Sequence, residues 1–152
     1  MGAADLYTPA LLEHCNHPDY NYEMEDATHV HEGINPSCGD DLTLHLKLAD
    51  DGTIADASWT GAGCAVSKAS ADMMSDLLIG ATADEARELA ESFGKLVRGE
   101  ELTAEQLEDL DEAACLSSIS HMPARVKCAE LAWRTMEEML NGASDPTTTE
   151  EG

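Results

Sequence analysis

The chain has 152 residues, a length that normally forms one domain around one hydrophobic core. Its 31 acidic residues against 8 basic ones give a formal charge of −23 at pH 7. This charge repels nucleic-acid phosphates and anionic membranes, so neither is expected as a partner. Because the acidic residues are spread along the chain, the sequence favours an acidic, halophilic surface solvated at high salt over a dedicated acidic docking face.

The sequence carries no signal for export or membrane insertion. No basic N-terminal region precedes an apolar stretch, and no apolar run approaches the roughly 20 residues that span a bilayer. We therefore expect a cytoplasmic protein. Five cysteines at wide spacings are not typical of a disulfide framework, and in a reducing compartment they indicate metal or thiol chemistry.

The first half of the chain predicts one helix and a small sheet. A short helix is expected within residues 4–15, ended by Pro18, and a strand within residues 28–34. Leucines at every second position over 42–48 are typical of a strand with one buried face. The turn residues at 50–52 and the apolar run at 53–60 complete a predicted β-hairpin.

Helical spacing dominates the second half. Helices are predicted from about Cys64 to Gly80 and over residues 82–98, and Thr103 with Gln106 predicts a capping box at the start of a short third helix. A last helix is expected from a cap at Ser120, with Pro123 in its first turn, to Gly142. The prediction is one α+β domain over residues 1–142, followed by a disordered polar tail over residues 143–152.

Three cysteines and one aspartate are the candidate ligands, and they lie on a loop, at a helix start and in the first turns of the last helix. Cys38 and Asp40 precede the strongest strand, and their i, i+2 spacing would point both side chains the same way on an extended chain, with Gly39 admitting close backbone approach. Cys64 follows the hairpin at a helix start, where free N–H groups favour a thiolate. Cys128 shares a face of the last helix with Arg125.

Three thiolates and one carboxylate suit a tetrahedral zinc ion, with an oxygen ligand that exchanges more readily than sulfur. The spacing contains no Cys-x-x-Cys pair. It therefore leaves open a second interpretation, in which each cysteine is a small packed core residue.

Three runs resemble the U-type iron–sulfur assembly proteins, the IscU/NifU N-terminal-like family. They are Asn-Pro-Ser-Cys-Gly-Asp at 35–40, Gly-Ala-Gly-Cys at 61–64 and Pro-Ala-Arg-Val-Lys-Cys at 123–128. The resemblance runs from about Leu11 to Trp133 with the motifs in the family's order. Lys127 stands where IscU scaffolds carry a histidine, and the connection between Cys64 and Cys128 has room for an extra helix. Both features favour the SufU branch.

The resemblance implies a small antiparallel sheet of about three strands packed against several helices. It also implies a zinc protein that takes sulfur from a pyridoxal-phosphate-dependent cysteine desulfurase of the SufS type, with a SufBCD-type assembly complex as a further partner. The implied ligands are Cys38, Asp40, Cys64 and Cys128. Cys38 would leave the ion to accept sulfur as a persulfide, and Arg125 would offset negative charge.

Two alternatives remain at this stage. The same four ligands would serve a scaffold that assembles a [2Fe–2S] cluster, or a structural zinc module without thiol turnover. Elsewhere, the run at 13–17 contains His14 and Cys15, for which a role in a docking helix is favoured over metal binding. Cys115 is interpreted as a packed residue and His121 as a polar loop residue.

Overall fold

Alternating leucines build the central strand of the sheet. The computed structural model describes residues 8–149. In it, Leu42, Leu44 and Leu46 are buried on one face, while Thr43 and Lys47 on the opposite face stay half-exposed. The predicted period-two pattern is therefore confirmed for these leucines, although His45 on the opposite face is also buried. The helices pack against the leucine face.

Four strands form one mixed sheet in the order β3-β2-β1-β4. The first three pair antiparallel, as predicted, and β4 adds to the edge of β1 in parallel. The strands are β1 His29–Asn35, β2 Asp40–Leu48, β3 Ile54–Ala62 and β4 Thr147–Thr148.

Five α-helices and one 3₁₀ segment surround this sheet in the described part of the chain. The predicted capping box at Thr103 is present, and Thr82 forms a second one with Glu85. The helices are α1 Pro9–Asn16, α2 Ala65–Leu78, α3 Ala83–Val97, α4 Ala104–Leu110 and α5 Pro123–Leu140, with the 3₁₀ segment at Asp111–Ile119. The α+β class is thus confirmed.

Helices α2 and α5 lie against the sheet, and α3 packs on the outer side of α5. Phe93 of α3 stacks on Trp133 of α5 with ring centroids 4.5 Å apart, which concentrates aromatic packing at one helix contact. On the sheet side, a Cβ at Gly33 would collide with the Thr135 hydroxyl of α5. Only glycine lets β1 and α5 approach this closely.

The structure corrects two predictions about the C-terminal half. The expected disordered tail is wrong for Thr147–Thr149, because β4 pairs with β1 and Thr147 and Thr149 are buried. Residues 150–152, like residues 4–7 of the predicted first helix, lie outside the described residues. The predicted cap at Ser120 is also wrong: α5 begins after Met122, which makes no side-chain capping bond.

No helix among residues 8–149 is both long enough and apolar enough to cross a membrane.

A buried carboxylate ties α1 to the rest of the domain. Asp72 of α2 is fully buried and accepts hydrogen bonds from the Tyr20 backbone N–H at 2.9 Å and from the Trp59 ring N–H at 3.1 Å. His14 of α1 bridges Asp72 and Glu112 at 2.8 and 2.7 Å. His14 therefore acts as an internal clamp between α1, α2 and the 3₁₀ segment. Its role in a docking helix stays a prediction.

We predict that this clamp makes stability depend on pH. Burial alone would lower the pKa of His14, but the hydrogen bonds to Glu112 and Asp72 outweigh it and raise the pKa above its ordinary value of 6.5. The stabilisation is therefore complete below pH 6.5 and is lost as pH rises through the folded-state pKa. In urea unfolding between pH 5 and 9, the stability gap between wild type and His14→Gln should shrink as pH rises.

Glu112→Gln is the matched variant, because it keeps an acceptor beside His14 and removes one charge. In a Glu112→Gln background, the stability gap between the variants with and without His14→Gln should decline less between pH 5 and 9. A gap that widened with pH would contradict the clamp.

Candidate metal centre

A tight turn presents Cys38 at one end of the sheet. The carbonyl oxygen of Asn35 accepts hydrogen bonds from the backbone N–H groups of Cys38 at 3.2 Å and Gly39 at 3.0 Å. Gly39 has φ +75°, in the left-handed region that favours glycine. The chain is thus not extended here, so the i, i+2 argument for Cys38 and Asp40 is wrong; the turn brings them together, with Cys38 half-exposed.

The Asp40 carboxylate is the buried centre of the site. It is fully buried at the start of β2 and accepts three hydrogen bonds. The Cys64 backbone N–H and the Ser67 hydroxyl donate to Oδ1 at 2.9 and 3.1 Å, and the Asn35 side-chain amide donates to Oδ2 at 3.0 Å. These three donors come from two segments, the end of β1 and the start of α2, and hold the carboxylate in one orientation.

Gly63 makes room for this arrangement. A Cβ at position 63 would collide with the Ser67 hydroxyl and lie 2.9 Å from Asp40 Oδ1. The loop from β3 to α2 can therefore lie over the carboxylate only with glycine at this position. The close backbone approach expected at Gly39 is found instead at Gly63, since a Cβ at Gly39 would meet nothing within 4 Å.

Cys64 and Cys128 form a contacting pair of sulfurs. Cys64 caps the N-terminus of α2, where its Sγ accepts the Ser67 backbone N–H at 3.5 Å. The Cys128 thiol donates to Cys64, and this bond is the main reason why the pKa of Cys64 falls to about 6. The same bond, together with burial, raises the pKa of Cys128. The contact thus shifts the two thiol pKa values in opposite directions, with Cys64 the more acidic of the pair.

The structure brings three of the four predicted ligands together. Cys38, Asp40 and Cys128 each offer one ligand atom, and these atoms all lie within 4.8 Å of one another. Cys64 stands outside that group but contacts Cys128. Three soft sulfurs beside one oxygen form a donor set that fits zinc, and cysteine-rich sets also hold iron–sulfur clusters. Their role as ligands remains our prediction.

Other candidate residues lie around this group. Arg125 is half-exposed one helical turn before Cys128, and Lys127 is half-exposed next to it. His121 is exposed ahead of α5. Cys115 packs in the 3₁₀ segment, where burial raises its pKa. Within residues 8–149, the 13–17 run does not form a second group of three or more residues with metal-ligand geometry.

Sequence reasoning missed the residues that hold the ligands in place. Asn35 and Ser67 both bind Asp40, and Asn35 Nδ2 also lies 3.5 Å from Cys128 Sγ. Asn35 belongs to the run at 35–40 that carries the family resemblance, and Ser67 follows the run at 61–64 by three positions, so the resemblance contained a signal near both. Thr149, which donates to Asn35, lay in the expected disordered tail and had no such signal.

Comparison with known proteins places this geometry in a family. Residues 6–129 match the NifU-like N-terminal domain. The iron–sulfur cluster assembly scaffold protein IscU of Thermotoga maritima is 40% identical over 141 residues, covering 93% of this chain and 96% of the relative. The zinc-dependent sulfurtransferase SufU of Bacillus subtilis is 33% identical over 133 residues, covering 88% of each chain.

The fold of this chain is also similar to that of a solved structure. The crystal structure of FiSufU from Fervidobacterium islandicum, assigned to the SUF system as an iron–sulfur cluster assembly scaffold, has a TM-score of 0.83 and 32% identity. It covers 91% of this chain and 99% of its own.

We predict that Gly63→Ala weakens metal binding. The added Cβ would displace the Ser67 hydroxyl and the Asp40 carboxylate, and losing a partner that orients a ligand typically costs about 10–100-fold in metal affinity. Competition with a chromophoric zinc chelator measures the effect. Gly94→Ala in α3 is the control, because its Cβ would approach only the flexible end of Arg98. Unchanged zinc affinity in Gly63→Ala would count against this geometry.

Proposed function

The chain belongs to the NifU-like N-terminal domain family, and on that premise we propose that it is a zinc-dependent sulfur acceptor in iron–sulfur cluster assembly. In this proposal Cys38 receives sulfur from a cysteine desulfurase of the SufS type, and Asp40, Cys64 and Cys128 hold the zinc ion together with Cys38. A SufBCD-type assembly complex is the proposed destination of the sulfur.

One observation carries the proposal: the candidate ligands differ in accessibility. Asp40 and Cys128 are buried, and three hydrogen bonds restrain Asp40. Cys38 lies half-exposed on a turn. A thiol that must meet the persulfide of another protein has to be reachable, whereas the remaining ligands must stay in place. Among the three residues whose ligand atoms lie together, Cys38 is the accessible one. Cys64 is also half-exposed, but its sulfur is held as the cap of α2.

The transfer is a thiol exchange that needs no external oxidant or reductant. The Cys38 thiolate attacks the terminal sulfur of the desulfurase persulfide, a new S–S bond forms on Cys38, and the partner's cysteine leaves as a thiolate. Bound zinc supplies the charge that keeps its cysteine ligands deprotonated at neutral pH. The turn at Asn35 keeps Cys38 at the surface while Asp40 stays buried.

Arg125 has a supporting electrostatic role in this proposal. Three thiolates and one carboxylate carry four negative charges, which exceed the charge of a divalent cation by two. Arg125 lies one turn before Cys128 on α5 and is half-exposed, so its guanidinium can offset part of that excess. Lys127 adds a second cation next to Cys128 in sequence.

A second candidate function is a scaffold for a [2Fe–2S] cluster on the same ligands. It is favoured by the 40% identity to the relative named as the IscU scaffold protein, which exceeds the 33% identity to the sulfurtransferase SufU. Lys127 argues for the first candidate, because the scaffold branch that the motifs resemble carries a histidine at this position. A third possibility, a purely structural zinc module, would not require an accessible Cys38.

We predict that Cys38→Ala abolishes stimulation of a SufS-type cysteine desulfurase. Sulfide or alanine release would be measured with wild type and the variant, alongside bound metal by mass spectrometry and unfolding by urea. Wild type should copurify with zinc and accelerate turnover, whereas Cys38→Ala should leave turnover at the level of the desulfurase alone.

Cys115→Ala is the matched control, since Cys115 is a half-buried cysteine in the 3₁₀ segment. It should stimulate turnover as wild type does. Full stimulation by Cys38→Ala would sink the acceptor role. If wild type transfers no sulfur and Cys38→Ala instead lowers stability, the site would be a structural zinc module. Stoichiometric iron and sulfide in an anaerobic preparation would favour the scaffold.

A further inference from the structure

The C-terminal strand is built into the edge of the sheet beside the candidate metal centre. Thr147 and Thr148 pair in parallel with Gly33 and Ile34, and the Thr149 backbone N–H donates to the Ile34 carbonyl at 3.2 Å. Thr147 and Thr149 are only 1% and 5% exposed. A strand of two residues has little intrinsic stability, so side-chain contacts must hold it.

Thr147 anchors this strand to the rest of the domain. Its hydroxyl donates to Glu138 Oε1 of α5 at 2.8 Å and lies 3.2 Å from His31 Nε2 of β1. These contacts join β4 to the helix and the strand on either side of it. They also fix the register that brings the next buried threonine, Thr149, to the end of β1.

Thr149 contacts the residue that holds two candidate ligands. Its hydroxyl donates to Asn35 Oδ1 at 2.7 Å, across 114 positions of the sequence. Asn35 is fully buried, and its Nδ2 donates to Asp40 Oδ2 at 3.0 Å and lies 3.5 Å from Cys128 Sγ. Thr149, Asn35 and Asp40 thus form a continuous hydrogen-bonded path from the C-terminal strand to the candidate metal centre.

Hydrogen-bonding chemistry fixes the orientation of the Asn35 side-chain amide. An ionised carboxylate only accepts hydrogen bonds, so the Asn35 group that faces Asp40 must be its NH₂. The amide oxygen then points away from the site and requires a donor, because a buried acceptor without one is costly. The Thr149 hydroxyl is that donor. A flipped amide would set its oxygen against both the carboxylate and the Cys128 sulfur.

We propose that Asn35 and Thr149 are positioning residues of the metal centre, and that the C-terminal strand controls how tightly the centre holds its ion. Thr149 fixes the orientation of the Asn35 amide, and the amide braces Asp40 and Cys128. The inference rests on the proposed function only in that an ion binds there. It does not depend on sulfur transfer or on Cys38.

The test uses the full-length, zinc-loaded protein with Thr149→Val and Thr149→Ser. Valine keeps the shape of threonine and removes the hydroxyl, whereas serine keeps the hydroxyl. Zinc release to a chromophoric chelator should be about tenfold faster in Thr149→Val, within the range for lost ligand-orienting partners. Thr149→Ser should restore slow release. The side-chain amide resonance of Asn35 in the metal-free protein should shift in Thr149→Val and return in Thr149→Ser.

A double-mutant cycle separates positioning from general loosening of the strand. If Thr149 acts through Asn35, Thr149→Val should not accelerate zinc release further in an Asn35→Ala background, because coupled residues are not additive. Asn35→Ser replaces Asn35→Ala if the alanine variant does not fold. Urea unfolding of the metal-free variants shows whether faster release merely follows lower stability.

The inference would be overturned if Thr149→Val released zinc at the wild-type rate or if the valine and serine variants released it at equal rates. It would also be overturned if the effects of the Asn35 and Thr149 substitutions on zinc release were fully additive. None of these outcomes affects the acceptor role, which is decided by Cys38→Ala and desulfurase turnover. Conversely, a Cys38→Ala variant that still stimulates the desulfurase would overturn the acceptor role. It would leave Asn35 and Thr149 as positioning residues of a zinc centre with another function.

Discussion

The buried Asp40 carboxylate is the constraint around which this end of the domain is organised. A charge removed from water is costly unless hydrogen bonds replace its hydration. Here the donors are the Cys64 backbone, the Ser67 hydroxyl and the Asn35 amide. Because they belong to the start of α2 and the end of β1, satisfying one carboxylate draws these elements onto the start of β2. The same bonds place the turn that carries Cys38 and the helix start that carries Cys64.

This constraint divides the candidate ligands into a held set and an accessible one. Asp40 is fixed by three donors, Cys128 is buried in α5, and Cys64, although half-exposed, is held as the cap of α2. Cys38 lies on a turn restrained through its backbone, so its side chain stays accessible. Sulfur exchange would therefore not require the domain to open, because the residue that reacts differs from the residues that keep the site together.

Sequence patterns predicted the elements whose signals are local. The leucines of β2, the capping box at Thr103 and the helix start at Cys64 are set by neighbours within a few positions, and the structure confirms all three. The predicted cap at Ser120 failed because a 3₁₀ segment carries the chain as far as Ile119 and α5 starts only at Pro123. Capping potential at one residue could not reveal that irregular path.

The features that the sequence left hidden depend on distant contacts. Two residues show no periodicity, so β4 could not be distinguished from a polar tail, and its placement comes from contacts with β1 and α5. Gly39 and Gly63 stand on either side of the site, yet only the packed structure shows that Gly39 serves a turn and Gly63 a close approach. The ligand types were predictable, whereas the groups that orient them were not.

The candidate centre exists only when nearly the whole domain is folded. Its possible ligands run from Cys38 to Cys128, and the bond that orients Asn35 comes from Thr149. A ligand that binds the folded state alone stabilises that state, so in the proposed metal-bound protein metal binding and closure of β4 onto β1 would support each other. The proposal thus links the last strand of the sheet energetically to the ion, although that strand contributes no ligand.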